Sequence, residues 1–546
     1  MPGRFDIAQA HRNLYALFIV FLFLMRQLQP LFATTAATTT MTRLRFSSSL
    51  RRSVAGVVCA FGFAGCAVGT AYTVPDAPVP ARYKEPASTE PTEPAAPGGV
   101  AASNPLWQPA MPADAADRGA WWMIFGDEEL DRLAARVQIS NQNIAAAVAN
   151  YAQAQALVRQ QRASLFPSVS AGLGASRSGG GNAANSTARV GSSLGADIGV
   201  NWAPDVWGRL RNSVDGASAG AQASQADLAS ARLSAVGELA INYFSLREAD
   251  AEIILLDATV DGYLRALDIT RNRYAAGIVA QSDILQAETQ WVNARADRVN
   301  LQRNRAQFEH AIAVLVGTAP GDFSVPAAVV WRTGVVAVPA GVPSSLLQRR
   351  SDISAAERSV AAAHAQIGIA QSAYYPSLNL SGSVGGSGSR LGDLFRASNH
   401  VWSLGMSVAQ VIFDGGAIAA QVDSATAVRD ASVARYRQTV LAAFQSVEDQ
   451  LAAGSALAQQ NMLRQQASAA ADKAEAQMLN RYRAGQVNYT DVVAAQATAL
   501  TARRALVQLQ LNRQVAAVLL VQALGGGWQA QWMSAAEPAV VQTTGQ

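Results

Sequence analysis

Two stretches that are near copies of each other decide the fold: RYAAGIVAQSD at residues 273–283 and RYRAGQVNYTD at residues 481–491. Their matching residues lie 208 positions apart, since 481 − 273 = 208. In each stretch a glycine, Gly277 or Gly485, follows an alanine-rich helical pattern, and Ser or Thr precedes an acidic residue. This order predicts a helix end, a tight turn and a new helix. A constant offset between two such turns indicates a duplicated architecture.

Elsewhere in the chain, the spacing of apolar residues changes from the period of a helix to the alternation of a strand. Apolar residues occupy alternate positions 194–202, and Asp197 and Asn201 fall on the opposite, polar face. We therefore predict a β-hairpin at 168–202, and the same pattern predicts a second hairpin at 377–413. The glycine- and serine-rich connections, 176–189 in the first hairpin and 386–399 in the second, are predicted to be exposed loops.

Each hairpin is flanked by long helical patterns. The first helical pattern runs from Asp127 to about Phe166, and the helix after the first hairpin meets no proline between 208 and 270. Apolar residues there keep the 3-4-3 spacing of a coiled-coil seam: Val236, Leu239, Tyr243 and Leu246, then Phe444, Val447 and Leu451 in the second half. The predicted domains are repeat 1 at 114–320, a linker at 321–342, repeat 2 at 343–528 and a tail at 529–546.

The first 65 residues have the features of a leader. Arg43, Arg45, Arg51 and Arg52 precede an apolar run at 54–64, which is typical of a signal peptide. The run ends at Cys66 in FAGC, which resembles the lipobox of bacterial lipoproteins, with Phe63 where leucine is usual. We therefore expect residues 41–65 to be a lipoprotein signal peptide, residues 1–40 an upstream extension and Cys66 a lipidation site.

Charge and composition exclude a basic nucleic-acid-binding face. Residues 1–65 have a net charge of +6, so the whole-chain value of +4 leaves −2 (4 − 6) for residues 66–546. Residues 66–113, rich in Pro, Ala, Thr and Glu, are predicted to form an extended arm behind the lipid anchor. After the leader no apolar run reaches 18 residues, so a membrane-spanning part would have to be a β-barrel.

Four strands cannot close a barrel, and open sheet edges are not tolerated in lipid. The hairpins must then be shared between copies of the chain, with Asp197 and Asn201 facing the lumen. The fold class predicted here is an α+β membrane protein with four strands per chain and a long helical coiled-coil part. A competing interpretation places both hairpins in a soluble sandwich.

Three motifs extend this interpretation: WAPDVWGRLR at 202–211, VPSSLLQRRSDI at 342–353 and ALGGGW at 523–528. With them, residues 66–528 resemble an outer membrane factor of the TolC type, in the lipoprotein branch that includes OprM and NodT. The resemblance implies a homotrimer with a twelve-stranded barrel in the outer membrane and a helical tunnel in the periplasm. It also implies a periplasmic adaptor and an inner-membrane pump of the RND type as partners, and export of drugs or other small molecules.

The resemblance also implies a function for the matched turns. In TolC-like channels these turns form the closed periplasmic tip. Carried over by position, Tyr482 hydrogen-bonds toward Asp283 and Ser282, and Asp491 supplies a ring of three carboxylates. Ala494 stands where a second acid is common, and Val487 where TolC has a tethering arginine. The alternative for Asp283 and Asp491 is a helix N-cap.

Other classes of function have less support in the sequence. The histidines after the leader, at 310, 364 and 400, have no metal-ligand spacing, so neither an enzyme nor a metal site is expected, and no cofactor beyond the lipid on Cys66. A trimeric coiled-coil surface adhesin would normally have one terminal barrel segment, whereas here two hairpins lie inside two helical repeats. Within the channel class, type I protein secretion and metal-ion efflux remain alternatives.

Overall fold

The structure is a computed structural model that describes residues 69–80, 82–85, 120–182, 185–328, 330–331, 350–394 and 396–526. The predicted leader, Cys66 and the tail at 529–546 lie outside these ranges. Within the described part of the chain, helices predominate and four strands form one sheet.

Both repeats run from a helical segment through a β-hairpin to a long helix and a shorter helix, and among the described residues the first repeat has two helices before its hairpin where the second has one. The first comprises α1 (Glu128–Ser140), α2 (Gln142–Ala163), β1 (Ser168–Asn182), β2 (Asn185–Trp202), α3 (Arg209–Ala275) and α4 (Gln281–Leu315). The second comprises α5 (Ser351–Ser372), β3 (Ser377–Gly388), β4 (His400–Ala409), α6 (Ala417–Arg483) and α7 (Tyr489–Ala523). Helices α3 and α6 each have 67 residues, and α4 and α7 each have 35. A helix of 67 residues is about 100 Å long.

The first helical pattern is interrupted, which the sequence analysis did not predict. Asn141 adopts an extended conformation (φ −68°, ψ 125°), so that α1 ends at Ser140 and α2 begins at Gln142. Its side-chain oxygen accepts hydrogen bonds from the backbone N–H groups of Asn143 and Ile144, at 2.9 and 3.1 Å. The expectation of one helix up to Phe166 was therefore wrong, because an asparagine in the middle of the pattern acts as an N-cap.

One face of the sheet is apolar across all four strands. The strand order is β1-β2-β3-β4, and all neighbours are antiparallel. Ile198 pairs with Ala171 on β1 and with Val384 on β3, and Val384 pairs with Trp402 on β4. Directly opposed residues share a face, so the alternating apolar residues of each strand form one continuous surface.

The opposite face is lined by small and polar residues. Asp197 pairs with Gly172 on β1 and Gly385 on β3, and Asn201 pairs with Ser381. A Cβ at Gly172 would lie 2.7 Å from Oδ1 of Asp197, so the glycine leaves room for the carboxylate. Asp197 and Asn201 thus lie together on the polar face.

The hairpin ends differ from the sequence prediction in two places. Pairing between β1 and β2 continues to Asn182 and Asn185, through most of the stretch predicted as a loop at 176–189. Backbone ladders need no apolar side chains, so a Gly- and Ser-rich segment can remain a strand. Conversely, β4 ends at Ala409 and not at 413. Residues 411–413 are apolar but lie beyond the strand, ahead of Gly415 and Gly416, which have positive φ.

Three clusters of buried residues hold the helices together. The predicted seam is confirmed: Leu239 and Tyr243 are buried in the cluster that joins α1, α3 and α7, and Val447 is buried in the cluster of α5 and α6. The third cluster lies where α3, α4, α6 and α7 meet near the turns. Among the described residues, no helix has the length and apolarity needed to cross a membrane.

Part of the predicted N-terminal arm packs against the second repeat. The Tyr72 hydroxyl donates to Oε1 of Glu357 on α5 at 2.5 Å. The backbone N–H groups of Lys84 and Glu85 donate to the carboxylate of Glu448 on α6, at 2.7 and 3.1 Å. Composition alone predicted extension and missed this attachment, because its partners are separated from it by more than 280 residues of sequence.

Candidate functional site at the two helical turns

The first turn closes α3 with a Schellman motif. Gly277 has φ +74°, its N–H donates to the Tyr274 carbonyl at 2.8 Å, and the Ile278 N–H donates to the Arg273 carbonyl at 2.9 Å. These two bonds satisfy carbonyls that a helix end leaves free. A positive φ favours glycine, so Gly277 is needed for the turn itself.

The second turn repeats this geometry at the end of α6. Gly485 has φ +73°, its N–H donates to the Tyr482 carbonyl at 2.9 Å, and the Gln486 N–H donates to the Arg481 carbonyl at 2.9 Å. The next helix begins at Tyr489, just as α4 begins at Gln281. The two stretches that are similar in sequence therefore also have the same backbone conformation.

Asp283 and Asp491 occupy the third position of α4 and α7 respectively. The N-cap residues are Ala280 and Asn488, and neither makes a side-chain cap, so the N-cap interpretation of the two acids was wrong. A carboxylate in the first turn is nevertheless favourable, because it faces the positive end of the helix dipole. The Ser282 hydroxyl lies 3.4 Å from Oδ1 of Asp283.

Tyr482 is buried and connects the two turns. Its hydroxyl lies 3.3 Å from Oγ1 of Thr270 on α3, and within the described residues it makes no hydrogen bond to Asp283 or Ser282. Arg273, from the first turn, donates to the Tyr482 carbonyl, and its guanidinium lies 4.5 Å from the centre of the Tyr482 ring. A cation over an aromatic face is attractive, so Arg273 fixes one helical hairpin to the other.

Tyr489 also belongs to this site, although the sequence analysis did not identify it. Its ring is buried and lies 5.4 Å from the Tyr482 ring, centre to centre. Burial raises the pKa of its hydroxyl, and the nearby Tyr482, Tyr263 and Asp283 raise it further. An aromatic residue at the first position of a helix that follows a matched turn was the available signal.

Asp491 lies on an open groove between α6 and α7. The groove has a volume of about 540 Å³, and Arg481, Val487 and Ala494 also line it. Val487 and Ala494, the two predicted departures from the TolC pattern, thus lie beside Asp491. Asp491 is exposed, so its carboxylate is free to act on ions outside the protein surface.

A group of buried charges lies further along α3. Glu248 and Glu252 are both buried, and Arg504 of α7 donates to the Glu252 carboxylate at 3.3 and 3.4 Å. Burial, with a smaller contribution from the charge of Glu252, raises the pKa of Glu248 to about 7, although Arg504 acts in the opposite direction. Because Arg504 donates to Glu252, its charge does not offset the effect of burial on Glu248, and the protonated form of Glu248 is favoured.

The beginning of the linker at 321–342 is held by a second charged group. Arg305 donates to Oδ1 of Asp250 at 2.6 Å and to the carbonyl of Val325 at 2.7 Å. Arg247 donates to Oδ2 of Asp250 at 3.1 Å and to the carbonyl of Pro326 at 2.7 Å. In the described parts of the chain no three His, Cys, Asp or Glu side chains are placed to hold a metal ion.

Comparison with known proteins identifies this architecture. The family described as outer membrane efflux protein matches residues 133–318 and 342–526, which are the two repeats. The chain belongs to the outer membrane efflux protein family. Among its relatives is the probable efflux pump outer membrane protein TtgC of Pseudomonas putida, 31% identical over 492 residues, which cover 89% of this chain and 98% of TtgC.

Two further comparisons agree with this family. The pyoverdine export outer membrane protein OpmQ of Pseudomonas aeruginosa is 32% identical over 429 residues, covering 76% of this chain and 89% of OpmQ. The solved structure of the outer-membrane channel OprN superposes with a TM-score of 0.73 at 26% identity, covering 85% of this chain and 100% of OprN.

The comparisons confirm the main sequence predictions. The protein is an outer membrane efflux protein with an α+β channel fold, and it acts as the outer-membrane exit channel of an efflux system. The resemblance to TolC-type outer membrane factors is confirmed for the family as a whole. The lipidation predicted at Cys66 lies outside the described residues.

Proposed function

We propose that three copies of this outer membrane efflux protein form one exit channel for drugs or other small molecules. A periplasmic adaptor and an inner-membrane RND-type pump would deliver the cargo to the end of the channel that is formed by the helices. The relatives named for efflux pumps support this proposal over type I protein secretion. The family itself favours a channel over a surface adhesin.

The observation that supports a trimer best is the sheet with two different faces. In the described chain β1 and β4 are edge strands, so each has unpaired backbone groups along one side. Three sheets joined edge to edge would give twelve strands and leave no open edge. The continuous apolar face would contact lipid, and the polar face with Asp197 and Asn201 would line the lumen.

The matched turns would form the periplasmic tip of this channel. In a trimer, Asp491 would occur three times around one axis and supply a ring of negative charge that attracts cations. The contacts of Tyr482 with Thr270 and Arg273 hold the second turn, at the end of α6, against α3 and would keep the tip narrow. Their strength would set how often the tip opens.

Planar-bilayer recording tests the gate. We expect Asp491→Ala to lower cation selectivity, because three carboxylates are lost from the axis, and the double variant with Tyr482→Phe to conduct more. Asp268→Ala is the matched control: it removes an exposed carboxylate of α3 and should leave selectivity unchanged. Equal selectivity and conductance in the wild type and the double variant would contradict the gate proposal.

A cellular experiment tests the cargo class. In a strain that lacks this gene, we expect drugs or dyes to accumulate, and expression of the wild-type chain should restore efflux. Normal accumulation together with loss of a secreted protein would instead indicate type I secretion.

A further inference from the structure

Helix α7 meets α3 and α4 near the turns along an interface that we call the tip seam, formed by Tyr489 and Gln496 of α7, Tyr263 of α3 and Trp291 of α4. Tyr489, Gln496 and Tyr263 are 1%, 4% and 4% exposed. In the described part of the chain no hydrogen-bond partner is found for Tyr489 Oη, Gln496 Oε1, Tyr263 Oη or Trp291 Nε1, and all four atoms are shielded from solvent.

Four such atoms in one interface are unusual. Most buried polar atoms in proteins have a hydrogen-bond partner, because an unpaired one loses its hydration without compensation. Tyr482 provides the internal comparison: its ring is equally buried and 5.4 Å away, yet its hydroxyl lies 3.3 Å from Thr270. Burial of the ring therefore does not by itself explain why, among the described residues, the Tyr489 hydroxyl has no partner.

The packing beside the tip seam is also loose. A cavity of about 430 Å³ lies between α3, α6 and α7, and both Tyr263 and Gln496 line it. The buried cluster at this level is small: Ala266, Leu267, Ala287, Tyr482, Tyr489 and Val492. Fewer apolar side chains are buried here than in the cluster that joins α1, α3 and α7, so less apolar burial opposes separation of α7 from α3 and α4.

The duplication shows that the fold does not require these polar groups. The residues of repeat 1 that correspond to Tyr489 and Gln496, 208 positions earlier, are Gln281 and Glu288, and neither is buried. The residue of repeat 2 that corresponds to Tyr263 is Ala471, which has no polar side chain. The unpaired groups thus belong only to the contact between the two hairpins.

We propose that Tyr489 and Gln496 are positioning residues that shift the tip toward its open state. Their unpaired groups destabilise the packed arrangement, and they become hydrated once α7 moves away from α3 and α4. This proposal rests on the proposed gate, since it assumes that the tip opens at this interface.

Tyr489→Phe tests the proposal because it keeps the ring and removes only the unpaired hydroxyl. Single channels in planar bilayers should open roughly fivefold to tenfold less often, because the packed state no longer contains a buried hydroxyl without a partner and is therefore more stable. Tyr482→Phe is the matched control on the neighbouring ring, and it should have the opposite effect because its hydroxyl has a partner. Gln496→Met, which also removes an unpaired group, should act in the same direction as Tyr489→Phe.

The heat stability of the detergent-solubilised oligomer shows whether Tyr489 and Gln496 shift the tip toward its open state or only contribute to packing. Tyr489→Phe should dissociate at a higher temperature than the wild type while opening less often. Equal or more frequent opening in both Tyr489→Phe and Gln496→Met would overturn the proposal, and so would lower heat stability in both. If Asp491→Ala alters selectivity in the same experiments, the gate stands and only the positioning proposal fails. If Asp491→Ala has no effect either, the gate has failed.

Discussion

At the scale of single residues, corresponding positions in the two repeats have different environments. Tyr274 and Tyr482 each follow an arginine and precede a matched turn, yet Tyr274 is 46% exposed and Tyr482 is 2% exposed. Tyr482 packs under Arg273 from the other hairpin, so its burial depends on a contact between the repeats. The duplication determines where a side chain lies along its own helix, and the neighbouring hairpin determines whether that side chain is buried.

Glu248 should make the stability of the helical part depend on pH. Its folded-state pKa of about 7 lies above its ordinary value of 4.5, so the folded state favours the protonated form. Its stabilising contribution is complete below pH 4.5 and is lost as the pH rises toward 7. Glu248→Gln should therefore stabilise the protein at pH 8 by roughly 1–3 kcal/mol and have little effect at pH 4.

The measurement is the melting temperature of the purified protein between pH 4 and pH 8. Glu238→Gln is the control, because Glu238 is an exposed carboxylate on the same helix and should not change the pH dependence. The same slope of melting temperature against pH in the wild type and Glu248→Gln would contradict the explanation from burial.

At the scale of elements, the sequence predicted what depends on local patterns and missed what depends on distant partners. Gly277 and Gly485 marked helix ends correctly, because positive φ is a local requirement of the turn. The Gly- and Ser-rich stretch at 176–189 was mistaken for a loop, because its strand pairing depends on the ladder that begins near Ser168. The burial of Tyr482 and Tyr489 could not be predicted, because it comes from four helices that are distant in sequence.

The end of the N-terminal segment, at 82–85, should detach when its acceptor is removed. The Glu448 carboxylate accepts two backbone hydrogen bonds from Lys84 and Glu85, and a charged acceptor makes these bonds stronger than neutral ones. We expect Glu448→Ala to destabilise the attachment by on the order of 1 kcal/mol, so that limited trypsin digestion cuts after Arg82 several-fold faster.

Asp423→Ala provides the control for this digestion. It removes an exposed carboxylate of the same helix, and within the described residues Asp423 accepts no hydrogen bond from the segment. Equal rates of cleavage after Arg82 in all three proteins would show that Glu448 does not hold the segment.

At the scale of the whole molecule, the two faces of the sheet follow from the period of the sequence. Alternation in each strand was visible before the structure, and the register adds that the apolar residues of four strands coincide on one face. A one-residue slip in any strand would place its apolar residues among Asp197 and Asn201, so the register is strongly selected. A proposed trimer uses this sheet as its attachment to the membrane, and the proposed lipid on Cys66 would be a second, independent attachment.

Cys66→Ser separates the two attachments. We expect this substitution to abolish incorporation of labelled palmitate, because the proposed lipid is attached to Cys66. Cys59→Ser should keep the label, since Cys59 lies in the predicted signal peptide. The Cys66→Ser protein should nevertheless remain in the outer-membrane fraction and crosslink as a trimer, because twelve joined strands bury far more apolar surface than one lipid chain.

Palmitate that persists in Cys66→Ser would place the anchor elsewhere. Loss of the unlabelled variant from the membrane would mean that the lipid, and not the shared sheet, provides most of the attachment.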